Sequence, residues 1–232
     1  QRVSCLEEAL EALATRTFHL IITMSRISDM SSFEFEKTLK KSYPDIPIVM
    51  LSYDRLTAEM IARIRENTCI NRVFHWSGDS KILLAIIKYI EDQQNVEADS
   101  KQGVQTILLV DDSPIYYSQI LPIIYTEILT QTRYLVSHAM NISHGLLRVR
   151  LRPKILLAET YEEAMSIIMQ YRHNLLGVIA DVKFPKDGKI NPSAGLELAQ
   201  RVRQMITDFP FLLQSEEKEN AGKAKEINVH FL

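Results

Sequence analysis

Short apolar runs alternate with amphipathic segments along the whole chain. The runs are four to six residues long and carry few polar residues, as strands do when both faces of a parallel sheet are covered. Between them, apolar residues recur every three or four positions, which indicates helices. This alternation predicts an α/β protein built from flavodoxin-like, doubly wound parallel sheets.

Residues 1–94 form the first predicted domain, and residues 106–232 form the second. Residues 95–105 are polar without an apolar period, so we expect a linker there. The first domain should contain helices over 6–14, 33–41, 57–66 and 80–92, and strands over 20–24, 46–51 and 71–75. The second should contain strands over 106–112, 155–158, 176–181, 209–214 and 227–232, with helices over 161–171, 194–205 and 217–225.

An unusually long helix is predicted to begin at Pro114, because an apolar stripe then runs from Tyr117 to Leu146. The stripe spans about eight turns, and Pro122 should kink or split it. Either it packs on its own domains, or residues 114–151 form a homodimer interface. His138 and His144 lie on or near this helix as surface residues or, less simply, as a phosphotransfer site.

Composition excludes several classes of protein. The 232 residues are 46% apolar and carry a net charge of −2, which favours neither nucleic acid nor an anionic membrane. The basic residues Arg148, Arg150, Arg152 and Lys154 are too few for a nucleic-acid surface. Two cysteines and no long apolar run fit a cytoplasmic protein without a disulfide framework or a membrane-spanning helix.

Acidic residues end two of the predicted strands. Asp111 and Asp112 follow the run 107–110, and Asp181 follows the run 176–180. The carboxyl ends of parallel strands meet at one edge of a sheet, where ligands bind. Clustered carboxylates repel one another unless a hard cation neutralises them, so we expect a Mg²⁺ site there. The alternative is that these are ordinary solvated aspartates.

The segments 109–113, 178–181, 184–185, 195–198 and 212–215 together resemble the receiver family of response regulators. The resemblance covers about residues 105–232 and implies a receiver fold with Asp181 as the phosphoacceptor and Ser215 as the switch hydroxyl. It also implies that Asp111, Asp112, Asp181 and the backbone carbonyl of Lys183 bind Mg²⁺. The implied partner is a histidine kinase or a phosphotransfer protein.

The chain departs from the family pattern in several places. The family's lysine after the fifth strand would lie just beyond Leu232, the stretch 186–194 is about six residues longer than the usual loop, and the first helix is about twenty residues too long. Residues 1–94 resemble a degenerate receiver that lacks its first strand. Met24, which we expect in the core, stands where the acceptor would be, and Trp76 stands at the place of the lysine.

The order of a degenerate receiver followed by an acidic one is similar to the N-terminal regulatory region of some bacterial phosphoenolpyruvate synthase/pyruvate phosphate dikinase-like proteins. Three hypotheses follow: a two-component receiver module phosphorylated on Asp181, a scaffold or dimerisation module that works without phosphorylation, and the regulatory front end of such an enzyme. These residues contain no catalytic domain of such an enzyme. The cognate kinase and the output stay open.

Overall fold

The computed structural model describes residues 1–24, 32–54, 57, 60–61, 64, 69–137, 152–206, 208–215, 217, 219–227 and 229–232. The chain divides into two compact units, Gln1–Ile90 and Glu91–Leu232. Each unit has its own parallel sheet, of three and five strands respectively, so the predicted α/β class is confirmed. Most of the helix predicted over 57–66, together with His138, His144, Arg148 and Arg150, lies outside the described residues.

The first unit is a parallel sheet with helices between its strands. Its elements are α1 (Leu6–Thr15), β1 (Ile21–Met24), α2 (Ser32–Ser42), β2 (Ile48–Ser52), β3 (Arg72–His75) and the beginning of α3 (Lys81–Lys101). The strands lie in the order β1-β2-β3, and every residue of the central strand β2 is buried. A strand with neighbours on both sides and helices on its faces needs the continuous apolar run found here.

Helix α3 runs through most of the predicted linker. It continues to Lys101, so most of the predicted linker 95–105 is helical and not a loop. Val96 packs in the hydrophobic core of the second unit, so this polar segment has a buried apolar residue that anchors the helix. The helix ends at a left-handed glycine, Gly103 (φ 82°), which is the usual way to stop an α-helix.

The second unit has the strand order of the flavodoxin-like folds. Its elements are β4 (Thr106–Val110), α4 (Pro114–Ser137), β5 (Lys154–Ala158), α5 (Tyr161–Tyr171), β6 (Leu175–Asp181), β7 (Phe184–Lys186), β8 (Lys189–Asn191), α6 (Ala194–Met205), β9 (Phe211–Gln214), α7 (Glu219–Glu226) and β10 (His230–Phe231). The large sheet runs β10-β9-β6-β4-β5. Numbered along the chain, this is the order 2-1-3-4-5, whose switch point lies between β4 and β6.

Much of the long stretch 186–194 belongs to a β-hairpin formed by residues 184–191. Strands β7 and β8 pair antiparallel, with Lys186 opposite Lys189. The two residues between them, Asp187 and Gly188, have φ values of 52° and 72°. Two consecutive left-handed residues make the type I′ turn that Asp-Gly favours, because its twist matches that of the strands.

The sequence predicts a kink or a split at Pro122, and the split is not found, because helix α4 runs without interruption from Pro114 to Ser137. A proline inside a helix costs about 3 kcal/mol. That cost is offset by the buried face of the helix, to which Tyr117, Leu121 and Tyr125 contribute side chains at most 1% exposed. In the described part of the chain, no helix is both long enough and apolar enough to cross a membrane.

Candidate functional site

Three neighbouring strands of the second unit end in carboxylates at the same level. Val110, the last residue of β4, is in register with Ala158 of β5 on one side and with Ala180 of β6 on the other. The next residues along the chain are Asp111, Glu159 and Asp181. Because parallel strands lie about 4.8 Å apart, this register brings the three carboxylates together at the carboxyl edge of the sheet.

Asp111 is the buried member of this group, with 1% of its surface exposed. Its Oδ1 accepts from the backbone N–H of Ser113 at 2.9 Å, and its Oδ2 accepts from the Gln214 side-chain amide at 3.3 Å. Burial is the main reason that its pKa is raised to about 7; the negative charges of Asp181, Asp112 and Glu159 add to it, and the Ser113 hydrogen bond opposes it. Ionisation of Asp111 at this edge therefore costs free energy, and a bound cation would reduce that cost.

Asp181 is half-buried at the end of β6, and its backbone is held closely on both sides. Its Oδ1 accepts from the N–H of Val182 at 2.8 Å, while the carbonyl of Val182 accepts from Gly195 at 3.0 Å. A Cβ on Gly195 would lie 2.2 Å from the Asp181 carbonyl oxygen. Only glycine allows α6 to begin so close to this strand end.

The other predicted ligands lie nearby. Asp112 is half-buried between Asp111 and the start of α4. Lys183 is two residues after Asp181, and its side chain is exposed. Its backbone carbonyl, which is the predicted ligand, therefore lies in the segment that directly follows Asp181.

Glu159 and Gln214 were not recognised from the sequence. Glu159 follows β5, and its Oε1 accepts from the hydroxyl of the fully buried Tyr117 at 3.3 Å. Gln214 ends β9 in register with Asp181. The rule that found Asp111 and Asp181, a polar residue directly after an apolar run, applies equally to both of them.

Ser215 directly follows β9, one residue beyond the partner of Asp181. Its Oγ accepts from the N–H of Glu217 at 3.1 Å and from the side-chain amide of Asn220 at 3.0 Å. These contacts form a local turn that leads into α7, as serine commonly does. The switch role of Ser215 stays a prediction.

The donor atoms at this edge suit Mg²⁺, which prefers oxygen ligands and keeps several of its waters. Within the described ranges, no three His, Cys, Asp or Glu side chains are arranged as ligands of one metal ion. The fit is therefore to a site with few protein ligands, in which water completes the octahedron. The Mg²⁺ prediction and its ligands stay predictions.

Met24, Tyr53 and Trp76 are among the described residues at the corresponding edge of the first unit. Met24 ends β1 and is 42% exposed, so the expectation that it is a core residue is wrong. Trp76 follows β3 and lies against Tyr53, with ring centroids 6.0 Å apart and planes tilted by 48°. The last paired residues of β2 and β3, Ser52 and His75, are polar, and the exposed Asp54 follows Tyr53, so the described part of this edge mixes hydrophobic and polar residues.

Neither a protein-family model nor a curated protein matches this chain. Among solved structures, it is distantly similar to a probable two-component system response regulator/GGDEF domain protein, with 16% identity and a TM-score of 0.37 over 99% of this chain and 78% of that one. It is also similar to the GsuK Channel, with 11% identity and a TM-score of 0.32 over 97% of this chain and 50% of that one.

Proposed function

We propose that this chain is a receiver-type signalling module in which Asp181 accepts a phosphoryl group with the help of Mg²⁺. The observation that supports it is the carboxyl edge of the second unit, where Asp111, Glu159 and Asp181 follow three adjacent, in-register strands. The strand order 2-1-3-4-5 puts this cluster at the topological switch point, where ligands of open α/β sheets bind.

In the proposed step, an Asp181 carboxylate oxygen forms a bond to phosphorus. The bond from phosphorus to the nitrogen of a phosphohistidine breaks, and the departing imidazole keeps the electron pair and takes a proton from water. Asp112 and Asp181 would bind Mg²⁺ directly, Asp111 directly or through water, and Lys183 through its backbone carbonyl. Mg²⁺ would neutralise the charge that develops on the phosphoryl oxygens.

The buried Asp111 has a specific place in this proposal. Burial raises the pKa of Asp111, and in the same low-dielectric surroundings its ionised carboxylate would attract a neighbouring cation more strongly than a solvated aspartate would. Ser215 would leave Glu217 and Asn220 and turn toward the new phosphoryl group, which would move the start of α7. A histidine kinase or phosphotransfer protein would be the donor.

Intact-mass spectrometry after incubation with Mg²⁺ and acetyl phosphate tests the proposal. The wild type should gain one phosphoryl mass, and Asp181→Asn should not. Asp187→Asn is the matched control, because it neutralises an exposed aspartate six positions along the chain, at a left-handed position that asparagine tolerates. An adduct of equal yield in Asp181→Asn would exclude this residue as the acceptor.

A scaffold that works without phosphorylation is the second candidate, and two observations favour it. The hydroxyl of Ser215 is already engaged by the turn into α7, and β1 of the first unit ends in Met24 and not in a carboxylate. This candidate predicts no adduct and no Mg²⁺ binding, with association of two chains through 114–151 or another surface instead. We also keep the proposal that the chain is the regulatory front end of a phosphoenolpyruvate synthase-like enzyme, because it is compatible both with phosphorylation of Asp181 and with its absence.

A further inference from the structure

The β7–β8 hairpin begins one residue after Lys183, whose backbone carbonyl is a proposed Mg²⁺ ligand. The hairpin therefore occupies the connection between the phosphoacceptor strand and α6. A carbonyl in such a connection is a useful ligand only if something fixes its peptide plane, because a flexible loop would lose conformational entropy on binding.

Glu197, in the first turn of α6, holds both strands of the hairpin. One of its oxygens, Oε2, pairs with Lys186 Nζ on β7, and the other, Oε1, accepts from the Asn191 side-chain amide on β8 at 3.0 Å. Asn191 is directly opposite Phe184, the first residue of β7. One carboxylate thus fastens the stem of the hairpin to the helix that starts beside Asp181.

The other side of the hairpin is fastened to α5. Lys186 Nζ lies 4.5 Å from the centroid of the Tyr161 ring, and the N–H of Asp187 donates to Glu162 Oε1 at 2.9 Å. Phe184 is fully buried beneath the stem. A two-stranded hairpin is marginal by itself, so these anchors decide whether it has one conformation.

We propose that Glu197 is a positioning residue that orients the Lys183 peptide toward Mg²⁺ by fastening the hairpin to α6. The inference rests on the proposed function, because it assigns a role in the same Mg²⁺ site. Glu197 contacts Lys186 and Asn191 of the hairpin, so it would act on the Lys183 peptide through the hairpin. The outer partners of metal ligands typically contribute ten- to a hundredfold to metal affinity.

The test is calorimetric titration of Mg²⁺ at pH 8 into the wild type, Glu197→Ala and Glu197→Gln. We expect about tenfold weaker binding in Glu197→Ala and a partial recovery in Glu197→Gln, which keeps one of the two acceptor oxygens. Glu97→Ala is the matched control, because Glu97 forms an exposed pair with Lys101 on α3.

A second measurement needs no metal. Hydrogen exchange of the amides over residues 183–191 should become faster in Glu197→Ala, while β4, β5 and β6 stay protected. Exchanging the two charges, with Lys186→Glu and Glu197→Lys together, should slow the exchange only partly, because a lysine at position 197 cannot accept from the Asn191 amide.

The outcomes separate this inference from the proposal beneath it. If the wild type binds Mg²⁺ and Glu197→Ala binds it equally well, the positioning role is wrong and the receiver proposal stands. If hairpin exchange is the same in both proteins, Glu197 does not hold the hairpin and the inference is overturned. If the wild type binds no Mg²⁺, the proposed function fails and the inference fails with it.

Discussion

Removal of the Asp92 carboxylate should lower the free energy of unfolding of the second unit far more than any surface substitution would. Asp92 is fully buried, and its two oxygens bind Arg152 at 2.6 and 3.0 Å. The same carboxylate accepts from the Tyr125 hydroxyl at 2.9 Å and from the N–H of Ile155 at 2.9 Å. In Asp92→Ala these donors would lose this acceptor inside the protein, and the Arg152 guanidinium, with 3% of its side chain exposed, would keep the Glu91 carboxylate at 3.6 Å and the Pro153 carbonyl at 3.3 Å.

The size of the effect follows from these contacts. Breaking a buried ion pair by removing one partner costs about 3–5 kcal/mol. A donor left without an acceptor adds about 1–3 kcal/mol, and these losses overlap because one relaxation serves them all. We therefore expect the free energy of unfolding of the second unit to fall by about 4–6 kcal/mol, out of the 5–15 kcal/mol typical of a domain.

Urea denaturation, with hydrogen exchange of peptides from β4, β5 and β6, measures this change within the intact chain. Tyr125→Phe should lose only about 1 kcal/mol, because it removes one hydrogen bond. Glu97→Gln, on the same helix but exposed, should behave like the wild type. Asp92→Leu combined with Arg152→Met should recover much of the loss, since neither charge is then buried alone. A loss below about 1 kcal/mol in Asp92→Ala would refute the reasoning.

Two further predictions concern the acidic edge. Asp111 has its pKa raised from 3.8 to about 7, so between these pH values the folded state holds a proton that the unfolded state has released. The free energy of unfolding should therefore fall as pH rises through this window. Urea titrations of Asp111→Asn should show no such pH dependence, and the variant should be more stable than the wild type at pH 8. The same pH dependence in the variant and the wild type would contradict the assignment. Gly195→Ala should lower the melting temperature by about 5 °C or more, because its Cβ would lie 2.2 Å from the Asp181 carbonyl, whereas Gly222→Ala, which meets nothing within 4 Å, should be neutral or slightly stabilising; equal melting temperatures for the two variants would argue against the close approach at Gly195.

The sequence predicts the sheet well because apolar runs and their spacing are local signals. The helices over Tyr161–Tyr171 and Ala194–Met205 are confirmed to the residue, since each begins and ends where its amphipathic period does. The sequence did not indicate that α3 continues through most of residues 95–105 or that α4 is unbroken at Pro122, and the two share one reason. Local composition says nothing about the partners that α3 and α4 find in the core of the second unit.

The carboxyl edge is partly accessible from sequence in the same way. Asp111 and Asp181 follow their strands directly, so register alone brings them together. The hairpin could have been found from its Asp187-Gly188 pair, which is a strong turn signal. The hold of Glu197 on two strands could not, because it depends on tertiary contacts between residues up to eleven positions apart.

The course of α3 determines where this chain can be cut. The division between the two units falls at Ile90 and Glu91, inside an unbroken helix, and Asp92 lies just beyond it. A fragment that began at Thr106, where β4 starts, would lose the carboxylate that neutralises Arg152 and the apolar contact of Val96. Anyone who wishes to isolate the acidic half should therefore begin at or before Glu91, well upstream of its first strand.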